Sequence, residues 1–169
     1  RASVKIVFMI KCAVMNTLRL FYRNIFVETI ILTAVFSQIV SGLKLFKTNS
    51  KIATTSFEKL HIWTGLYLAF FLIIHLSAVL GGRFFLHLDT IFYFGAAGLN
   101  SFPINLFFFP YYALAILSFF GHIAAIHSKK MKRTFLGLSP NNQSVSILII
   151  GFILTVLIFY GLTNHFNGV

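Results

Sequence analysis

The chain is poor in charge. Only 10% of its 169 residues are Asp, Glu, Lys or Arg, against roughly 25% in a typical soluble protein. A water-soluble globule of this length needs a charged surface, so the shortage argues against a cytosolic enzyme, a disordered protein or a DNA-binding module. Acidic residues are scarcest: Glu28, Glu58 and Asp89 are the whole set. They are too few for a pump-type proton path and are not placed as the paired carboxylates of a di-iron bundle. The single cysteine, Cys12, makes neither an internal disulfide nor a CxxC site and leaves the redox compartment open. Mid-membrane helix breaks and inverted repeats, the marks of a transporter, are absent. An initiator Met and a clear cleavage motif are also absent, which points to a processed or incomplete start.

Apolar residues are abundant. The chain is 58% hydrophobic and 17% aromatic, with mean hydropathy +0.89. About 30 Å of hydrocarbon crossed at 1.5 Å per residue needs roughly 20 apolar residues, and four such runs are present. The first extends from about Asn24 to Leu43 and the second from Leu60 to Gly82. The third lies within Thr90–Ser128 and is most compact from Pro110, where a proline suits a first helical turn. The fourth covers about Val145 to Thr163, after a polar 139–144 linker that offers an N-cap. Gly42, Gly65, Gly121 and Gly151 fall inside these runs as helix-packing sites.

The net charge of +11 flanks these runs and forms no basic motif with interleaved aromatics, so nucleic acid is not the expected partner. If side A is the end where the first run finishes, it carries Lys44, Lys47, Lys51, Lys59, Lys129, Lys130, Lys132 and Arg133. The side-B loop has Arg83, offset by Asp89. The positive-inside rule makes side A cytoplasmic or its matrix equivalent. The basic residues Arg1, Lys5, Lys11, Arg19 and Arg23 run against this, because they would lie on side B. With Asn16 they gather on one side of a helical wheel, as in an amphipathic helix at the interface. The aromatic stretch 84–102, with its Gly95-Ala96-Ala97-Gly98 break, reads as an interfacial helix or a re-entrant loop. The expected architecture is an all-α integral membrane four-helix bundle: residues 1–23 form an amphipathic interfacial segment and 24–169 the transmembrane domain.

The histidines carry the chemistry. His61 and His75 bracket the second run; fourteen steps of 100° bring them within about 40° of one face, roughly 21 Å apart along the axis. Gly65 shares that face and would let a flat ring approach the backbone. The third run is antiparallel to the second, which puts His122 at the depth of His61. Two neutral imidazoles from facing helices at one depth make an axial pair for a haem iron, so His61 and His122 are the expected metal ligands. His127, five residues on, points to a different face; beside Lys129 and Lys130 it meets headgroups or a haem propionate. His75 has Tyr111 and Tyr112 at its depth. It reads equally as a buried hydrogen-bonding group or as the ligand of a second haem, with His165 or His87 as partner. His87, His127 and His165 also read as plain interfacial anchors, and Cys12 as a small apolar residue.

Leu60-His61-Ile62-Trp63-Thr64-Gly65, followed by Ile74-His75-Leu76 and preceded by Ser41-Gly42-Leu43, resembles the haem-bearing helix of membrane b-type cytochromes. The HxxxG and HL elements are similar to those of small cytochrome b561-like proteins and related four-helix respiratory anchors. The LHxxTG fragment also resembles the first helix of the succinate dehydrogenase cytochrome b anchor, near its quinone site. The resemblance covers the first three runs and rests on short motifs. The second widely spaced histidine pair of two-haem families has no counterpart here, so one haem b (heme) carries over. The resemblance implies electron transfer between haem and a quinone pool or partner subunits, within a larger complex of a bacterial or mitochondrial inner membrane. The chain would not be an enzyme alone. Two other readings stand beside it: a non-haem structural subunit at the edge of a large membrane complex, and a pigment-binding protein with one histidine on a chlorophyll magnesium.

Overall fold

The computed structural model describes residues 13–14, 16–88, 92–163 and 166. Cys12, Asp89, His165 and most of the interfacial segment lie outside them. Residues 16–22 are helical, and the chain turns at Arg23 and Asn24. Five further helices follow: α1 Ile25–Asn49, α2 Ser56–Phe84, α3 Phe92–Asn100, α4 Asn105–Lys130 and α5 Pro140–Leu162. No strand occurs among the described residues. α1, α2, α4 and α5 are each long and apolar enough to cross a bilayer, and they make the chain an integral membrane protein.

The helix ends follow from local chemistry. The Asn24 side chain accepts from the Phe26 N–H at 3.0 Å and starts α1. Thr55 and Glu58 form a capping box at the head of α2: Glu58 N–H donates to Thr55 Oγ1 at 3.2 Å, and Thr55 N–H donates to Glu58 Oε2 at 3.1 Å. This starts α2 four residues before Leu60. Ser139 caps α5, with Pro140 in its first turn, so the fourth span begins inside the polar linker and not at Val145. Pro110 does not start α4. The helix begins at Asn105, whose N–H donates to Ser101 O at 2.8 Å, and Pro110 sits inside it. The Gly95–Gly98 stretch is no break either: α3 runs through it, and Gly98 lets the Phe108 ring lie where a Cβ would overlap it.

Each spanning helix packs chiefly on the next, in the order α1–α2–α4–α5, while the short α3 packs on α4. Small residues form each seam, as expected where lipid supplies no hydrophobic drive and close backbone approach must hold helices together. At the α1–α2 seam, a Cβ on Gly42 would stand 2.7 Å from Gly65 O. At α2–α4, a Cβ on Gly121 would stand 3.0 Å from Thr64 Cγ2. At α4–α5, Gly151 lies against the Phe120 side chain with no room for a methyl group. Ala69 and Ala124 are fully buried. Phe26, Phe36, Phe70, Phe119, Phe152 and Leu157 are exposed, as lipid-facing residues are. On side B, Arg83 of α2 pairs with Glu28 of α1.

Candidate functional site

α2 and α4 bring His61 and His122 together near side A. Their ring centroids are 4.5 Å apart with planes tilted by 47°. The shared depth read from the spacing is therefore observed, and Gly65 lies against the same pair. A Cβ there would stand 3.3 Å from His122 Cε1. The flat ring that the glycine admits is the imidazole of His122.

Thr64 organises the pair. Its hydroxyl donates to Leu60 O at 2.6 Å, as a helical threonine does to the preceding turn. Having spent its proton, Oγ1 accepts from His122 Nδ1 at 3.3 Å. That contact holds the His122 ring against α2.

His61 has a second neighbour. It lines a cavity of about 650 Å³ that opens on side A, with Leu45, Ile52, Phe57 and Ile62 on its apolar part and Lys129 and Lys132 among its polar lining. The volume lies within the range of about 300–1,000 Å³ typical of cofactor sites. Glu58 also lines it, but its carboxylate is engaged by the Thr54 and Thr55 backbone N–H groups at 3.0 and 3.1 Å. The lysines therefore favour an anionic ligand edge.

These positions allow a test of fit for haem. A metal–imidazole bond is about 2 Å, so two rings on opposite faces of one iron lie roughly 6 Å apart, centre to centre. The His61 and His122 rings, at 4.5 Å, are too close for that. Thr64, Gly65 and Gly121 also close the α2–α4 seam beside them. An iron between the two rings does not fit this packing. His61 also lines the adjoining cavity, and His122 does not. Among the described residues no three His, Cys, Asp or Glu side chains converge as a metal site. A porphyrin needs no such cluster, since it supplies four of the iron ligands itself.

The other histidines fall elsewhere. His127 Nε2 bonds Gln143 Oε1 of α5 at 2.9 Å, and Gln143 Nε2 donates to Arg133 O and Leu138 O at 3.1 and 2.8 Å. His127 thus fastens the α4–α5 connection, and Gln143 is the structural residue the sequence reading missed. Its polar side chain in a first helical turn was the available signal. His75 stacks on Phe71 at 5.0 Å and meets Tyr112 edge-on at 6.2 Å. His87 is exposed with φ of 50° in the side-B loop. No known protein family, curated protein or solved structure matches the chain.

Proposed function

We propose that the protein is a membrane-embedded electron-transfer subunit that holds one b-type haem in the side-A cavity, with His61 as its axial ligand. One observation carries this reading: the same imidazole that is backed by His122 also opens onto a cofactor-sized cavity with a cationic rim. Lys129 and Lys132, in the lining of that cavity, would meet the haem propionates. His122, fixed by Thr64, is a positioning residue that holds the His61 ring from behind. A bound haem supplies one-electron chemistry. The helices supply orientation and an apolar wall that excludes water from the ring face. The described chain outside its helices consists of short loops, so electrons come from and go to other subunits or a lipid-soluble carrier.

The test is the reduced-minus-oxidised visible spectrum of membranes carrying wild type, His61→Leu and His122→Leu. The reading expects a b-type signal that disappears in His61→Leu and persists, with altered band shape, in His122→Leu. Loss of the signal in both variants restores the pair as joint axial ligands and requires α2 and α4 to part on haem binding. A folded wild type without haem leaves the chain as a structural subunit.

A further inference from the structure

Gln38 stands at the middle of α1, a helix of 25 residues. It is exposed, and among the described residues its side-chain amide has no hydrogen-bond partner. An amide carries two donors and an acceptor. At mid-membrane depth lipid tails satisfy none of these and headgroups do not reach them, so the amide calls for a protein partner. Other polar groups within the spans have theirs inside the chain: Tyr67 donates to Tyr111 O at 2.9 Å, and Thr155 to Gly151 O at 2.7 Å.

The surroundings of Gln38 suit a second helix. Ala34, Ser37, Gln38 and Ser41 follow the i, i+3, i+4, i+7 spacing of one helix face, and all four are exposed. At about 100° per residue this face is centred about 90° from Gly42, which packs on α2. Beside Gln38 its residues are small, which lets two backbones approach closely in a membrane. The Ser37 and Ser41 hydroxyls donate to Thr33 O at 2.9 Å and to Gln38 O at 3.0 Å. Each keeps an acceptor that an approaching amide can use.

We infer that this face pairs two copies of the chain, α1 against α1 about a two-fold axis along the membrane normal, with the two Gln38 amides hydrogen-bonded to each other at its centre. The amide is donor and acceptor at once, so a two-fold sets each Gln38 against its own complement at one depth. Nothing on the face calls for a different chain of opposite charge. From Ile25 to Leu43 the only charged residue is Glu28, and Arg83 of the same chain holds it. α1 also has the most surface left to give: 6% of its most apolar stretch is buried, against at least 17% in each of the other spans. The inference does not depend on haem in the side-A cavity.

The test is energy transfer between donor- and acceptor-labelled copies of the full chain in liposomes, followed as added lipid dilutes the protein. Wild type is expected to pair reversibly, two copies to a complex. Gln38→Leu removes the amide from an exposed position and keeps an apolar helix. It is expected to weaken pairing about tenfold, the scale of two interhelical hydrogen bonds in a membrane, whereas Gln38→Asn keeps most of the affinity. The face is read separately by oxidative cross-linking of variants that also carry Cys12→Ala. Ser37→Cys and Ser41→Cys are expected to form disulfide-linked dimers. Phe36→Cys, about 150° round the helix from the centre of the face, is expected to form none. Pairing that survives Gln38→Leu at wild-type strength, or cross-links from Phe36→Cys as readily as from Ser37→Cys, overturns the inference. A wild type that stays monomeric overturns it too, and leaves the face to the helix of a different subunit.

Discussion

At the scale of residues, Thr64 links two helices through one hydroxyl. It donates within α2 and accepts across to His122. Thr64→Val keeps the shape and removes the acceptor, leaving the His122 N–H unsatisfied in a half-buried place. A loss of about 1–3 kcal/mol is expected, read from detergent unfolding of the two chains. With haem in the proposed side-A site, Lys132→Ala should weaken its retention by a few-fold, the scale of about 1 kcal/mol for an exposed ion pair, as followed by haem transfer to an acceptor protein. The meeting of His61 and His122 was legible in the sequence because helical rise and antiparallel order fix depth. Their separation was not legible, because it depends on how closely Gly65 and Gly121 let two backbones approach. The bond from His127 to Gln143 was hidden for another reason. The turn that brings Arg133 O and Leu138 O to the Gln143 amide contains Leu136 and Gly137 at positive φ, 49° and 76°, and spacing arguments say nothing about such a turn.

At the scale of elements, the seams and not the apolar faces set the neighbours. Gly42→Ala would press a methyl group onto Gly65 O at 2.7 Å, a backbone atom that cannot swing aside. A cost of about 1–3 kcal/mol follows from overpacking of this kind. Gly81→Ala, in the same α2, meets nothing within 4 Å and should gain up to about 1 kcal/mol from helix propensity. Chemical unfolding of both variants in one detergent checks the contrast; equal effects would remove the seam from the account. The four spans could be read from hydropathy because their length is dictated by the bilayer. Their ends drifted by several residues where a cap outranked the apolar run. Thr55-Ser56-Phe57-Glu58 extends α2 outward, and Ser139 with Pro140 does the same for α5. Pro110 suggested a start that the turn from Ser101 to Asn105 had already made.

At the scale of the whole molecule, the spanning helices form a row whose edge member, α1, packs chiefly on α2. Only 6% of the most apolar stretch of α1 is buried, against 22% in α4, so α1 is held by little. The Arg83–Glu28 pair is one of its ties. Glu28→Gln strands a guanidinium and should cost up to about 3 kcal/mol. Glu28→Gln combined with Arg83→Gln should recover most of that loss, a coupling that a double-mutant cycle of unfolding midpoints measures. The row could not be read from the sequence, since four apolar spans are equally consistent with a closed ring of helices. The row shows instead in which helices touch, α1 on α2, α2 on α4 and α4 on α5. The same order leaves two cavities on opposite sides of the α2–α4 pair, one beside His61 and one beside His75.

Haem stoichiometry decides whether a single haem sits on His61 in the side-A cavity. A pyridine haemochrome assay on the purified, folded chain, read with its resting visible spectrum, gives both the count and the coordination. One haem b per chain is expected, with the high-spin bands of an iron that has one protein ligand. Two haems per chain, or a low-spin spectrum of two axial imidazoles, would contradict it.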